Sequence, residues 1–271
     1  MPATLTPPFP NAPLVLVALE VRFPEVESAA TRAGQIRELV RSALPLRETM
    51  NVHTIQIGPG GSPAITQQVF PRFITRDKTT AFTINPASVV IETTNYDGYT
   101  PFRDLIALCM TAAQSALAPD GMNRIGLRYI DEIRVPTVST LPGDWSGWIS
   151  DHLLAAVDAT FLADTKLTPK VWQGHVQYST GTDATLALRY GPAEGFAVQP
   201  EGPLRRLKSE AAGPYFLFDT DSYWEADNSV PEFDADAIIE CCDALHAPTR
   251  AIFDVVTTKR LRDEVFAKES E

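Results

Sequence analysis

The chain has 271 residues, 44% of them hydrophobic, enough for one large domain or two small ones, and disorder is not the default. Its 23 basic and 34 acidic residues give a formal net charge of -11. A surface of that sign repels phosphate backbones and anionic membranes, which disfavours nucleic acid and lipid and favours basic proteins, cations or neutral molecules as partners.

Residues 1–12 (MPATLTPPFPNA) read as a proline-rich extended leader with no basic region ahead of its first apolar run, and PLVLVALEV at 13–21 is too short to span a bilayer. Cys109 stands alone and Cys241 and Cys242 are adjacent, so neither a disulfide ladder nor a zinc spacing is present. A cytoplasmic protein with reduced, buried thiols is expected.

A first unit is expected over 13–122. Its strand at 15–23 precedes a helix carrying Ala29, Ala33, Ile36, Val40 and Ala43 at helical spacing. GPGG at 58–61 reads as a turn, because the Lys and Ser or Thr of a phosphate loop are missing. VFPRFITR and TTAFTIN flank a turn at Asp77 and Lys78, SVVIETTN follows the Asn85-Pro86 break, and a helix spans 101–117.

A second unit is expected over 123–248. It opens with RIGLRYIDEIRVP (124–136), followed by a helix with Asp144 as N-cap and Trp145, Trp148, Ile149, Leu153 and Ala156 on its apolar stripe. VWQGHVQYS and ATLALRY flank a Gly181 turn, YFLFDTD follows a long insertion at 192–213, and a helix covers 234–247. Residues 249–271 add a C-terminal helical extension with Ile252, Phe253, Val256, Leu261 and Val265 in a stripe.

The two units correspond. EVRFP at 20–24 matches EIRVP at 132–136, IETTNY at 91–96 matches FDTDSY at 218–223, and ALAP at 116–119 matches ALHAP at 244–248. Three matches in order, each on the same expected element, indicate an internal duplication of a β-α-β-β-β-α unit. The expected fold class is α+β, with antiparallel sheets and helices packed on one face. This plan is similar to the TATA-binding-protein fold, in which two copies form a saddle; the similarity is topological and carries no function.

PLVLVALEVRFP, RIGLRYIDEIRVP and ALHAPTRAIFDVVTTKRLRDEV together resemble a sporadically distributed prokaryotic family. That family's centre usually reads Arg-Ile-Gly-Leu-Arg-Tyr-Ile followed by Asn, where this chain has Asp131. The resemblance implies no particular activity. Its patchy distribution implies a place in defence-associated gene sets, antiviral defence among them.

No motif names a reaction. Asp219 and Asp221 lie two apart on a strand, as a cation-binding DxD pair would, but no nucleotide-binding loop accompanies them, and a solvated strand end explains them more simply. Four dispersed histidines show no metal spacing, and Cys242 with His246, four apart on one helix, lacks the exposed helix N-terminus of a nucleophilic thiol. No catalytic residue, metal or cofactor is therefore expected.

Two functions follow. The first is a non-enzymatic interaction or regulatory protein, one part of a defence or toxin-neutralising module, that binds a protein partner. Its contacts are Arg205, Arg206 and Lys208 in the insertion and Asp221, Glu225 and Asp227 in a run from 210 to 243 that has ten acids and no Lys or Arg. Self-association is left open. The second is a small-ligand binder or enzyme with a pocket between the units, lined by Arg128, Tyr129, Trp145, Trp148 and Asp219. Strict alternation puts Asp131 on the apolar face of its strand, so a bulge or a specific partner is expected there.

Overall fold

The computed structural model describes residues 9–27, 29–57, 63–157, 159–181 and 183–267; most of the expected leader and the GPGG turn lie outside the described residues. In chain order the elements are β1 (Leu14–Arg22), α1 (Ala29–Val40), β2 (Leu46–Ile57), β3 (Pro63–Ile74), β4 (Thr80–Asn85), β5 (Ser88–Thr93) and α2 (Tyr99–Leu117). They continue as β6 (Arg124–Ile133), α3 (Asp151–Leu154), α4 (Ala159–Leu162), β7 (Gly174–Ser179), β8 (Ala184–Gly195), β9 (Gly213–Glu225), α5 (Ala235–Val256) and α6 (Lys259–Leu261).

The described strands form one antiparallel sheet of nine, in the order β2-β3-β4-β5-β1-β6-β9-β8-β7. Its centre is the pairing of β1 with β6, which sets Val17 opposite Tyr129 and Arg22 opposite Arg124. Outward from that pair the order is β5-β4-β3-β2 on one side and β9-β8-β7 on the other.

Alternation along the central strands separates two faces. Val17, Leu19 and Val21 of β1 and Ile125, Leu127 and Tyr129 of β6 are buried together with Ile36 and Val40 of α1, Ile106 and Cys109 of α2, and Ile238, Cys242 and Leu245 of α5. Helix α5 places its apolar residues at i, i+3, i+4 and i+7 and starts at Asp234, whose side chain accepts a hydrogen bond from the Ala237 amide. A second cluster on the same side gathers Ile133, Val135, Trp145, Trp148, Phe216 and Phe218 with Val256, Leu261 and Phe266. Full burial of such side chains contributes about 1.5–3 kcal/mol each.

Three expectations change. The first half has four strands between its helices, because LRETMNVHTIQI forms β2, a segment too mixed in polarity to announce a strand. The helix expected over 145–156 shrinks to the short α3 and a following turn: Gly143 and Gly147 take φ of 73° and 75°, which no helix accommodates, and Asp144 accepts from the Ser146 amide as a turn. Helix α5 runs through Pro248 to Val256, so the helix expected to end at 247 includes the start of the extension; the proline costs one bond, to the Ala244 carbonyl.

Two glycines test these backbone assignments in opposite directions. Gly34 lies in α1 with open space around it, so Gly34→Ala should raise stability by about 0.5–1 kcal/mol. Gly191 sits at φ 146°, and a β-carbon there would stand 2.6 Å from the Trp172 carbonyl oxygen, so Gly191→Ala should lower stability by more than about 1 kcal/mol. Urea unfolding of both variants measures the signs.

Candidate functional site

The face of the sheet away from the helices carries an apolar patch around Leu16, Ile74 and Ala81 under the 192–213 insertion, and a concentration of charge along β6 and its neighbours. On β6, Arg124 and Arg128 flank Gly126, and the Arg124 guanidinium occupies the space that a β-carbon at 126 would take. It reaches Glu20 of β1 at 3.5 Å, and Asp221 and Glu225 of β9 at 3.0 and 3.3 Å, and it lies 4.6 Å from the Tyr223 ring centroid. Arg128 donates two bonds of 2.7 Å to Asp219, the fork geometry in which guanidinium–carboxylate pairs are strongest. Arg22 donates to Glu20 at 2.8 Å. A seam of ion pairs therefore runs from β1 through β6 to β9, with Arg128 41% and Asp221 31% exposed at the side chain.

At the other end of the central pair stands Glu132. Its side chain is 2% exposed, and it accepts from Arg134 at 2.8 Å, from Arg206 at 3.1 Å and from the Ala197 amide at 2.9 Å. Arg134 also donates to the carbonyls of Gly195 and Pro214 at 2.6 and 3.2 Å. The second Glu-x-Arg pair thus sits as Glu20 and Arg22 do, and each acid receives a further guanidinium, from Arg124 in one case and Arg206 in the other.

Arg206 comes from the insertion. Its ends extend β8 and β9, and residues 196–212 cross to the first half as a strap. Leu204, 5% exposed, packs with Ile74 and Ala81; the Arg205 amide donates to the Lys78 carbonyl at 2.8 Å, and the Thr94 hydroxyl donates to the Arg205 carbonyl at 2.6 Å. The strap, the start of β1, the Thr94–Asp97 loop and Val265–Phe266 enclose a cleft of about 710 Å³ with Glu132, Arg134 and Arg206 in its wall.

The residues expected to share a ligand pocket are divided among three places. Arg128 and Asp219 pair within the seam, whereas Tyr129, the next residue on β6, points to the helix side and bonds His246 Nδ1 at 2.9 Å. Tyr99 stacks on that imidazole at 3.9 Å and donates to Asp243, which also takes Arg103. Burial lowers His246 to about 4, leaving it neutral and weakly basic at ordinary pH, and burial pushes the Cys242 thiol up, away from reactivity. Trp145 and Trp148 are 3% and 2% exposed in the second cluster, with their indole N–H groups on the Pro142 carbonyl and the Thr137 hydroxyl.

Of the expected partner contacts, Arg206 is turned inward at 7% exposure, because Glu132 needs its charge. The Arg205 backbone is held by the first half, Lys208 lines the cleft, and Asp221 and Glu225 belong to the seam. Asp227 is exposed and accepts from the Asn228 amide. Sequence reasoning missed Arg124 and Gly126, although an Arg-x-Gly-x-Arg pattern at strand alternation places all three on one face.

Asp131 lies on the helix side between Tyr129 and Ile133, opposite Leu14 and Phe218, where the two hydrophobic clusters meet. The register shifts between Leu14 and Leu16, opposite Asp131 and Ile130, so the expected bulge is on β1 beside it. It is 5% exposed and has no hydrogen-bond partner among the described residues. Burial first, and the charge of Asp219 second, push its carboxyl up from 3.8 to about 8. The unfolded chain ionises this group near 3.8 and the folded chain near 8, so the folded state holds the extra proton between those values. Stability should fall as pH rises through that window and level off above it. Asp131→Asn removes the slope, and at pH 8 should exceed the parent by on the order of a few kcal/mol, with a smaller gain at pH 5, as read by urea unfolding.

Among the described residues no group of three His, Cys, Asp or Glu is placed to hold a metal, and no helix is long and apolar enough to cross a membrane. In comparison with known proteins, no family model and no curated protein matches this sequence.

Proposed function

We propose that the chain is a non-enzymatic interaction protein that presents the charged face of its sheet, centred on β1 and β6, to a protein partner. The observation that carries this reading is the seam of Arg22, Arg124, Arg128, Glu20, Asp219, Asp221 and Glu225, fixed by mutual pairing, with Arg22, Glu20, Arg128, Asp221 and Glu225 partly exposed over the more buried Arg124 and Asp219. Paired side chains have already lost their rotamer freedom, so docking on them costs less entropy, and a face of both signs selects a partner of complementary pattern. Each guanidinium in the seam has a carboxylate beside it, which leaves little free positive charge for phosphates and argues against nucleic acid.

The same face supports the reading of the chain as a duplicated unit. The strand order reads outward alike from β1 and β6 for three strands, and the Glu-x-Arg pairs sit at opposite ends of the central pair. A role in a prokaryotic defence or toxin-neutralising module comes from the family resemblance alone, and a cytoplasmic location from the cysteine usage and the N-terminal sequence. A second reading, a small-ligand binder, is favoured by the cleft between the two halves.

Photo-crosslinking in the native host tests the first reading. A benzophenone side chain at Arg22, at Glu225 or at Arg189, which stands beside Asp219 on β8, should give one discrete protein adduct from the sheet face, and the same group at Arg37 of α1 or Glu240 of α5 should give none. Adducts from the helix positions alone, or from no position, would contradict it. Once that partner is purified, Arg22→Gln with Arg189→Gln should weaken binding by about tenfold, while the loss of two exposed ion pairs costs no more than about 1 kcal/mol each in stability.

A further inference from the structure

We infer that the cleft beside the strap binds a small organic anion whose carboxylate or phosphate group sits against Arg206 and Lys208. This rests on the second reading above and is independent of partner binding at the sheet face.

The charge balance of the wall carries the inference. One buried carboxylate, Glu132, faces two buried guanidiniums, so the inner wall holds a surplus positive charge on a chain whose net charge is -11. Buried charge is retained at a cost unless it is matched. Arg134 has placed its donors on Glu132 and two carbonyls. Arg206 has not: its Nη1 serves Glu132 and the Val198 carbonyl, while its Nη2 makes only a 3.4 Å contact to Glu132. Lys208, two residues on, lines the same cleft and has no ion pair among the described residues. Arg206 and Lys208, two residues apart in the strap, thus both border the cleft with donors to offer.

The remaining walls define the rest of the ligand. Leu207 and the partly buried Tyr96 offer apolar and aromatic surface, and about 710 Å³ lies within the range of sites for small organic molecules. Asp97 and Glu210 also line the cleft, and both are exposed. They place the anionic group at the inner wall, with the apolar body toward the opening. Inorganic phosphate would use the donors and forgo the apolar walls.

Calorimetric titration of the full chain at low ionic strength tests this with phenyl phosphate, benzoate, inorganic phosphate and the neutral analogue benzamide. The expected result is saturable binding of phenyl phosphate or benzoate, at least tenfold tighter than benzamide or inorganic phosphate. Lys208→Ala, an exposed position whose loss leaves the unliganded Tm unchanged, should weaken that binding several-fold, and Arg206→Lys should weaken it further. Arg189→Gln, on the sheet face, should leave it unaltered. Equal affinity for benzamide and benzoate would overturn the anion assignment and leave a ligand cleft standing. Equal loss in Arg189→Gln and Lys208→Ala would reduce the effect to general surface charge and overturn it, as would anion binding undiminished in both Lys208→Ala and Arg206→Lys. Binding of no probe would overturn both this inference and the reading on which it rests.

Discussion

Glu132 is the constraint around which the functional end of the molecule is arranged. A carboxylate this deeply buried must have its oxygens hydrogen-bonded, and three donors converge on it. Each donor fixes a different piece of chain. Arg134 carries the contact to the ends of β8 and β9 through Gly195 and Pro214; the Ala197 amide sets where the strap departs; Arg206 sets where it returns. From Arg206 the strap is within reach of Lys78 and Thr94, and so a contact inside the second half becomes a tie to the first. Without Glu132, two guanidiniums would be left buried against carbonyls and the rings of Phe196 and Tyr215 with no carboxylate, and the wall of the cleft would have no organising centre.

The same device appears at the opposite end of the central strands in a more exposed form. Glu20 takes Arg22 from its own strand and Arg124 from β6, and Gly126 provides the room in which Arg124 lies across the sheet. Solvent weakens the ion pairs of the seam, so their worth lies in fixed geometry more than in stability. Two acids, each with a guanidinium two residues on and a second brought from elsewhere, thus bracket the β1–β6 pair. One end closes a cleft and the other lies on the open face.

Much of this was legible from residue order, and the reasons are physical. β1 alternates cleanly between buried and half-exposed positions, so its strand and its two faces can be read directly, and the recurrence of Glu-x-Arg-x-Pro singles out Glu20 and Glu132, each of which accepts from the Arg two residues on. Asp131 stood out because it interrupts an apolar face, and the bulge lies beside it, although its raised carboxyl depends on burial by elements distant in sequence. Arg206 was misplaced for the opposite reason. A run of Arg205, Arg206 and Lys208 in a long polar loop looks like a solvated binding segment, and nothing local reveals that Glu132, 74 residues earlier, takes one of the three inward. Trp145 and Trp148 have helical spacing, yet Gly143 and Gly147 adopt left-handed backbone and turn the segment into an irregular cover for the second cluster. Spacing identified the apolar side chains there and misjudged the backbone that presents them.

The most direct measurement is a double-mutant cycle between Glu132 and Arg206, using Glu132→Gln, Arg206→Met and the combined variant in urea unfolding. If the buried pair organises the strap and the cleft, each single change leaves a charged or polar partner stranded, and the coupling between them should exceed about 2 kcal/mol. Additivity to within about 0.5 kcal/mol would mean that the strap is held by other contacts and that Glu132 is not its anchor.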